Sequence, residues 1–166
     1  MSDLFENNGA EFSECGKYRY KLWRIWDNEL PIAMCIGLNP STANSQKNDP
    51  TIIILKKMLT KLGYGGFYMT NLFAFISSKP EDLLTCDDPL GDNDNKLKEV
   101  KLLCDDIIAC WGSFKQATNR IKHLYNNNDF PNTKCFAISK DGNPIHPLAM
   151  QKRNGRDPDN PRLIKF

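Results

Sequence analysis

Pro31-Ile32-Ala33-Met34-Cys35-Ile36-Gly37-Leu38 is the stretch on which the fold turns. From Ile32 to Ile36 no polar side chain interrupts it. It lacks the alternation of a half-exposed strand and is too short for a helix of ordinary length, so it reads as a central strand covered on both faces. A strand of that kind belongs to an α/β sheet, where ligands sit beyond the carboxyl ends of the strands. The residues that follow, Gly37-Leu38-Asn39-Pro40-Ser41-Thr42-Ala43, are then the first place to look for a site.

On the amino-terminal side, Lys17-Tyr18-Arg19-Tyr20-Lys21-Leu22 alternates polar and apolar residues, the period of a half-buried strand. Asp27-Asn28-Glu29 forms a turn between the two, which makes the first strand an antiparallel edge partner of the central one. On the carboxyl side, Asp49-Pro50 starts a helix. The aspartate side chain accepts first-turn amide hydrogens and proline supplies helical φ at the next position. Ile52, Leu55, Leu59 and Leu62 then repeat at helical spacing, and Gly63 ends the helix.

Phe67 to Phe73 reads as a second core strand and Pro80 to Leu84 as a loop or short helical turn. Asp92 to Cys104 is a helix candidate, and Ile107-Ile108-Ala109-Cys110-Trp111 a short buried strand. Ser113 is placed to cap a helix whose apolar stripe is Phe114, Ala117, Ile121 and Leu124. Lys134 to Ile138 reads as the last strand, and Asp141-Gly142-Asn143-Pro144 as a turn leading into His146. Strands alternating with helices predict one α/β domain over residues 1–166: a three-layer α/β/α sandwich with a mainly parallel central sheet and an antiparallel edge strand. Residues from about 149 to 166 are polar and read as a tail, wrapped or mobile.

Bulk properties narrow the function classes. At 166 residues, 40% hydrophobic and 25% charged, the chain suits a globular domain that needs neither disulfides nor metal to hold its core. No apolar run approaches the length of a membrane span, and the acidic start lacks the blocks of a signal peptide, so the expected location is cytoplasmic. The six cysteines form no C-x-x-C pair and no zinc spacing, which favours free thiols. With two histidines and no nearby carboxylate cluster, no metal site is expected. The net charge of +2 is unevenly spread: residues 17–24 carry four bases and no acid, and residues 151–166 five bases against two acids. Such patches attract phosphates or simply form solvated faces. Dinucleotide, P-loop and serine-hydrolase motifs are all missing, and no cofactor is implied.

The chemistry lies at the strand ends. Asn39, Asn71 and His146 each follow a strand segment and so converge on one rim of the sheet. Gly37, Pro40 and Ser41 would give the first loop its rigidity and its backbone amides, although Asn39 and Ser41 also suit a local turn. Asn71, inside the apolar Phe67–Phe75 stretch, offers the donors and acceptor that read a base edge, or it is a core asparagine tied to backbone. Phe73 is a candidate stacking surface whose alternative is plain core packing. His146 follows a turn and precedes proline, which favours a site role, whereas His123 sits on a helix as an exposed residue. Asp49 could act as a general base, but its place before Pro50 makes capping the stronger assignment.

Together GLNPSTA, DPT, TNLFAF, WG and HPL resemble the signature of an uncharacterised bacterial and phage domain family of about this length. A more distant resemblance is to the uracil-DNA glycosylase superfamily. Gly37-Leu38-Asn39-Pro40 is similar to the G-I-N-P form of that superfamily's first motif, in the branch where asparagine replaces the water-activating aspartate. Asn71 is similar to its base-reading asparagine and His146-Pro147 to its histidine loop. The chain departs from the pattern at Ser41, where the mismatch branch has glycine, and at Leu148, where serine is usual. The resemblance implies a uracil-DNA glycosylase-like fold and cleavage of an N-glycosidic bond in DNA or a nucleotide. Asn39 and His146 would be catalytic; Gly37, Pro40, Ser41, Asn71 and Phe73 would bind substrate, with no cofactor. The alternatives are a non-catalytic nucleotide- or nucleic-acid-binding module and a phage-related interaction protein.

Overall fold

In the computed structural model, which describes residues 6–166, the 31–38 run supplies a strand over Ile32–Gly37, in which Ala33 to Ile36 are fully buried. In chain order the strands are β1 (Asn7–Phe12), β2 (Arg19–Ile25), β3 (Ile32–Gly37), β4 (Gly66–Asn71), β5 (Asp106–Ala109), β6 (Lys134–Cys135) and β7 (Ile164–Lys165). The helices are α1 (Pro50–Lys61), α2 (Asn93–Lys101) and α3 (Thr118–Tyr125). Pro80–Leu84 forms a short 3-10 turn, as do Lys115–Ala117, Pro147–Ala149 and Lys152–Asn154.

The seven strands form one sheet in the order β1-β2-β4-β3-β5-β6-β7. Neighbours β4, β3, β5 and β6 run parallel, while β1 on β2, β2 on β4 and β7 on β6 are antiparallel. The sheet is therefore mixed and not mainly parallel. The expected antiparallel partner of the central strand is also misplaced: β2 pairs with β4, Leu22 opposite Met69 and Ile25 opposite Gly66. The physical reason is that β3 already has parallel neighbours on both sides, β4 and β5, so a hairpin made of β1 and β2 must join at an outer edge of the parallel strands, and it takes that of β4.

Alternation along the strands divides the apolar residues between two cores. Ala33 and Cys35 of β3, Phe67 and Met69 of β4 and Ile108 of β5 pack with Ile52, Leu55, Met58 and Leu59 of α1. Met34, Ile36, Ile107 and Ala109 pack with Leu97 and Val100 of α2 and Leu124 of α3. Helix α1 begins as expected: Asp49 accepts from the Ile52 amide at 3.0 Å, with Pro50 at the first helical position. Ser113 caps no helix, because Lys115–Ala117 winds as a 3-10 turn and α3 starts only at Thr118. The 149–166 segment wraps back over the sheet, and β7 covers the edge of β6. All six cysteines are free. Among the described residues no helix is long and apolar enough to cross a membrane, and no group of three or more His, Cys, Asp or Glu is placed to hold a metal.

Two buried arginines of β2 secure the connection that leads from β3 into α1. Arg24 donates to Asn48 Oδ1 at 2.8 Å and to the carbonyls of Asn44, Trp23, Gly9 and Lys47. Arg19 donates from Nη1 to the Ala43 carbonyl at 2.9 Å. The loop is thereby fixed to a strand two positions away in the sheet.

Candidate functional site

At the carboxyl ends of the parallel strands lies a cavity of about 310 Å³. It opens where the chain, having placed β4 on one side of β3, crosses to place β5 on the other, the switch point at which α/β sheets leave a crevice. Gly37 lines it from the end of β3, Leu38, Asn39 and Ser41 from the loop that follows, Asn71 from the end of β4, Trp111 from the segment after β5, and His146 and Leu148 from the loop after β6.

The approach of β3 and β4 sets the first wall. Gly37 pairs with Asn71, and a Cβ at Gly37 would lie 2.7 Å from Asn71 Oδ1 and 2.6 Å from Met69 Cε, so glycine is what lets the amide lie against the strand. The pairing continues past both strands, with Leu72 N–H donating to Gly37 O and Phe73 N–H to Leu38 O. Asn71 is 2% exposed, and its Nδ2 has no acceptor among the described residues. Its backbone is well held: Asn93 of α2 donates to the Asn71 and Leu72 carbonyls, and Arg120 of α3 donates to Leu72 O at 2.7 Å. A buried amide with a rigid backbone and an unpaired head is arranged to meet something that is not part of the chain.

Asn39 is half committed. Its Nδ2 donates to the Ser77 carbonyl at 2.8 Å and to Pro40 O at 3.2 Å, tying the loop after β4 to the loop after β3. Its Oδ1 accepts no hydrogen bond among the described residues, and Asn39 lines the cavity. Pro40 is buried behind this connection and receives the Ser77 amide on its carbonyl; it does not line the cavity. Phe73 packs against the core on the α2 and α3 side and does not line the cavity either.

His146 is carried by the turn chemistry before it: Ser139 N–H donates to Asn143 O, and Ile145 N–H to Ala137 O. The Trp111-Gly112 segment passes against it, with Gly112 at φ +74° and bonded to Pro144 O. His146 Nδ1 accepts the Leu148 amide at 3.1 Å. The neutral ring must then carry its proton on Nε2, leaving that N–H as the free donor. Burial pushes the imidazole below its ordinary range, and Asp49 pulls partly the other way. A neutral donor is the resting form above mildly acid pH.

Sequence reasoning weighed Asp49 as a general base but ranked capping above it, and it gave no site role to Arg19 or Trp111. Asp49 both caps α1 and faces the cavity, because the helix that follows β3 starts at the carboxyl rim. Its Asp-Pro signal disclosed the cap but not the direction in which the carboxylate faces. Arg19 reaches the rim because β2 runs antiparallel to β4 and so begins where β4 ends; no local pattern encodes that neighbour. Trp111 is 2% exposed, its indole N–H has no acceptor among the described residues, and it also borders a larger groove of about 710 Å³ lined by Ser113, Lys115 and Lys122. The Trp-Gly pair after an apolar strand was the available clue.

No curated protein and no solved structure matches the chain. One family model does match, over residues 19–148, which begins at Arg19 and ends at Leu148, the first and last residues to line the cavity. The chain belongs to the family described as "Protein of unknown function (DUF1643)".

Proposed function

We propose that this cavity takes a nucleobase and that the protein is a nucleobase-processing hydrolase, cleaving an N-glycosidic bond in the manner of the uracil-DNA glycosylase superfamily. The observation that carries the reading is the convergence on one cavity of three side chains from three separate strand ends: a buried unpaired amide, an amide oxygen and a neutral imidazole N–H. The order β4-β3-β5-β6 of the parallel strands, with α1 packed on one face and α2 and α3 on the other, supports a three-layer sandwich of that superfamily's type.

In this reading Asn71 Nδ2 and Oδ1 read the base edge. As the glycosidic carbon–nitrogen bond breaks, its electron pair passes to the base, and His146 Nε2–H donates to the oxygen on which the charge gathers. Water, positioned by Asn39 Oδ1, adds at the anomeric carbon and loses its proton to solvent or base. The cavity is near the small end of the roughly 300–1,000 Å³ spanned by small-ligand sites, in keeping with a single extruded or free base.

One observation favours a second reading, a binding module without turnover. Among the described residues Asp49 is the only carboxylate lining the cavity, and one of its oxygens is engaged as the helix cap. A mass-spectrometric screen against single- and double-stranded DNA and free nucleotides, carrying normal, deaminated and modified bases, separates the two. Release of a free base that disappears in His146→Ala supports hydrolysis; saturable binding with no released base selects the binding module.

A further inference from the structure

Three arginines of this chain are buried: Arg19, Arg24 and Arg120. A guanidinium has five N–H donors, and burying its charge is costly unless acceptors surround it. Arg24 spreads its donors over five oxygens. Arg120 faces Asp94 at 2.6 Å and donates from Nε to Leu72 O, although its Nη2 is buried with no hydrogen-bond partner among the described residues. Arg19 differs in having no counter-charge. It is 3% exposed and, among the described residues, has a single side-chain hydrogen bond, to Ala43 O, and no acceptor for its buried Nε. It forms no ion pair among the described residues, and of the three it alone lines the cavity.

The rest of the cavity lining extends the same chemistry. Ser41, Thr51 and Ser78 also line the cavity, and their hydroxyls have no hydrogen-bond partner among the described residues. Burial pushes the guanidinium down only to about 10, so it remains cationic at neutral pH. Asp49 shares the cavity and supports that charge through space, but it is not within ion-pair distance.

We propose that Arg19 is the anchor for a terminal phosphate on the ligand of this cavity, so that the ligand is a phosphate monoester of small size. This deepens the nucleobase reading, on which it rests, to a nucleoside monophosphate. A terminal phosphate fits the placement better than the backbone of a polymer: a diester phosphate needs two paths out for its flanking residues, and Arg19 is almost wholly enclosed. The fork of the guanidinium meets two phosphate oxygens at once, and the neighbouring hydroxyls donate to the others.

The test is isothermal titration calorimetry on the purified full chain with inorganic phosphate, nucleoside 5′-monophosphates and the matching uncharged nucleosides. The monophosphate is expected to bind about 10- to 100-fold more tightly than its nucleoside, the worth of charge-assisted hydrogen bonds. Arg19→Met should erase that preference while leaving the nucleoside affinity in place, and Arg19→Lys should retain part of it. Asp49→Asn, which keeps an N-cap oxygen, should tighten phosphate binding by removing a like charge. Equal affinity for monophosphate and nucleoside, or a preference that survives in Arg19→Met, overturns the proposal. Phosphate binding that depends on Arg19 but shows no preference for any base supports the anchor and overturns the nucleobase reading. Base release from substrates without a terminal phosphate, unaffected by Arg19→Met, does the reverse.

Discussion

Asn71→Leu should make this protein more stable, the opposite of what most core substitutions do. Asn71 is 2% exposed and its Nδ2 lacks an acceptor among the described residues, so the folded state bears the desolvation of an unpaired polar group, about 1–3 kcal/mol. Leucine has the same number of side-chain heavy atoms and adds favourable apolar burial. Against this stands the close approach of Gly37, where an added Cβ would already be 2.7 Å from the amide oxygen. A bulkier methyl there costs about 1 kcal/mol in repacking. The balance is a gain of about 1–2 kcal/mol, or roughly 3–6 °C in Tm for a chain of this length. Urea and thermal unfolding followed by circular dichroism would measure it. Asn93→Leu is the comparison: that asparagine is fully buried too and its Oδ1 has no donor among the described residues, but its Nδ2 donates to the carbonyls of Asn71 and Leu72, and leaving those two acceptors unpaired should cost about 1–3 kcal/mol. If Asn71→Leu instead lowers stability by more than about 1 kcal/mol, the amide is holding the fold together and its assignment to a ligand is wrong.

Three further outcomes are expected. Gly37→Ala should displace the Asn71 side chain, costing about 1–3 kcal/mol and shifting its amide resonances in NMR spectra, while a spectrum with those resonances unmoved would contradict the close approach. His146 should titrate below the ordinary imidazole value, since burial disfavours its cation. The unfolded chain then binds the proton more readily, so His146 contributes stability that is complete above about pH 6.5 and is lost as pH falls toward the folded value; His146→Gln should flatten that dependence. Asp49→Ala should cost about 0.5–2 kcal/mol through the lost cap, and Asp49→Asn much less, whereas both should move the His146 titration further down by removing the facing carboxylate.

What the sequence disclosed follows from how locally each feature is written. The β3 strand and α1 were legible because an unbroken apolar run and an Asp-Pro cap are complete within a dozen residues. So was the turn that presents His146. Strand β1 was not, because Asn7-Asn8-Gly9-Ala10-Glu11-Phe12 has no apolar alternation and gains its structure from pairing with β2. The strand expected over 134–138 shrinks to Lys134–Cys135 as the chain turns back to form the isolated Ile138–Pro144 bridge. Periodicity says which face a residue occupies but not which strand lies beside it, and so the mixed sheet and the arrival of Arg19 at the rim were out of reach. Asn39, Asn71 and His146 were legible as candidates because polar side chains directly after apolar strands are few. The tie from Asn39 to Ser77 was not, since it links loops 38 residues apart.

The two arginine tethers from β2 to the 43–48 loop have a dynamic consequence. The hairpin of β1 and β2 lies on one edge of the parallel strands, and among them it pairs with β4 alone. Segments so joined tend to open as single cooperative units below the cost of global unfolding. Because Arg24 and Arg19 hold carbonyls of the loop, detachment of the hairpin would release the entry to α1 with it and take Arg19 out of the cavity wall. The hairpin and the loop therefore form one exchange unit, and a ligand that grips Arg19 would slow the amide exchange of β2 and of residues 43–48 together, at positions it never touches.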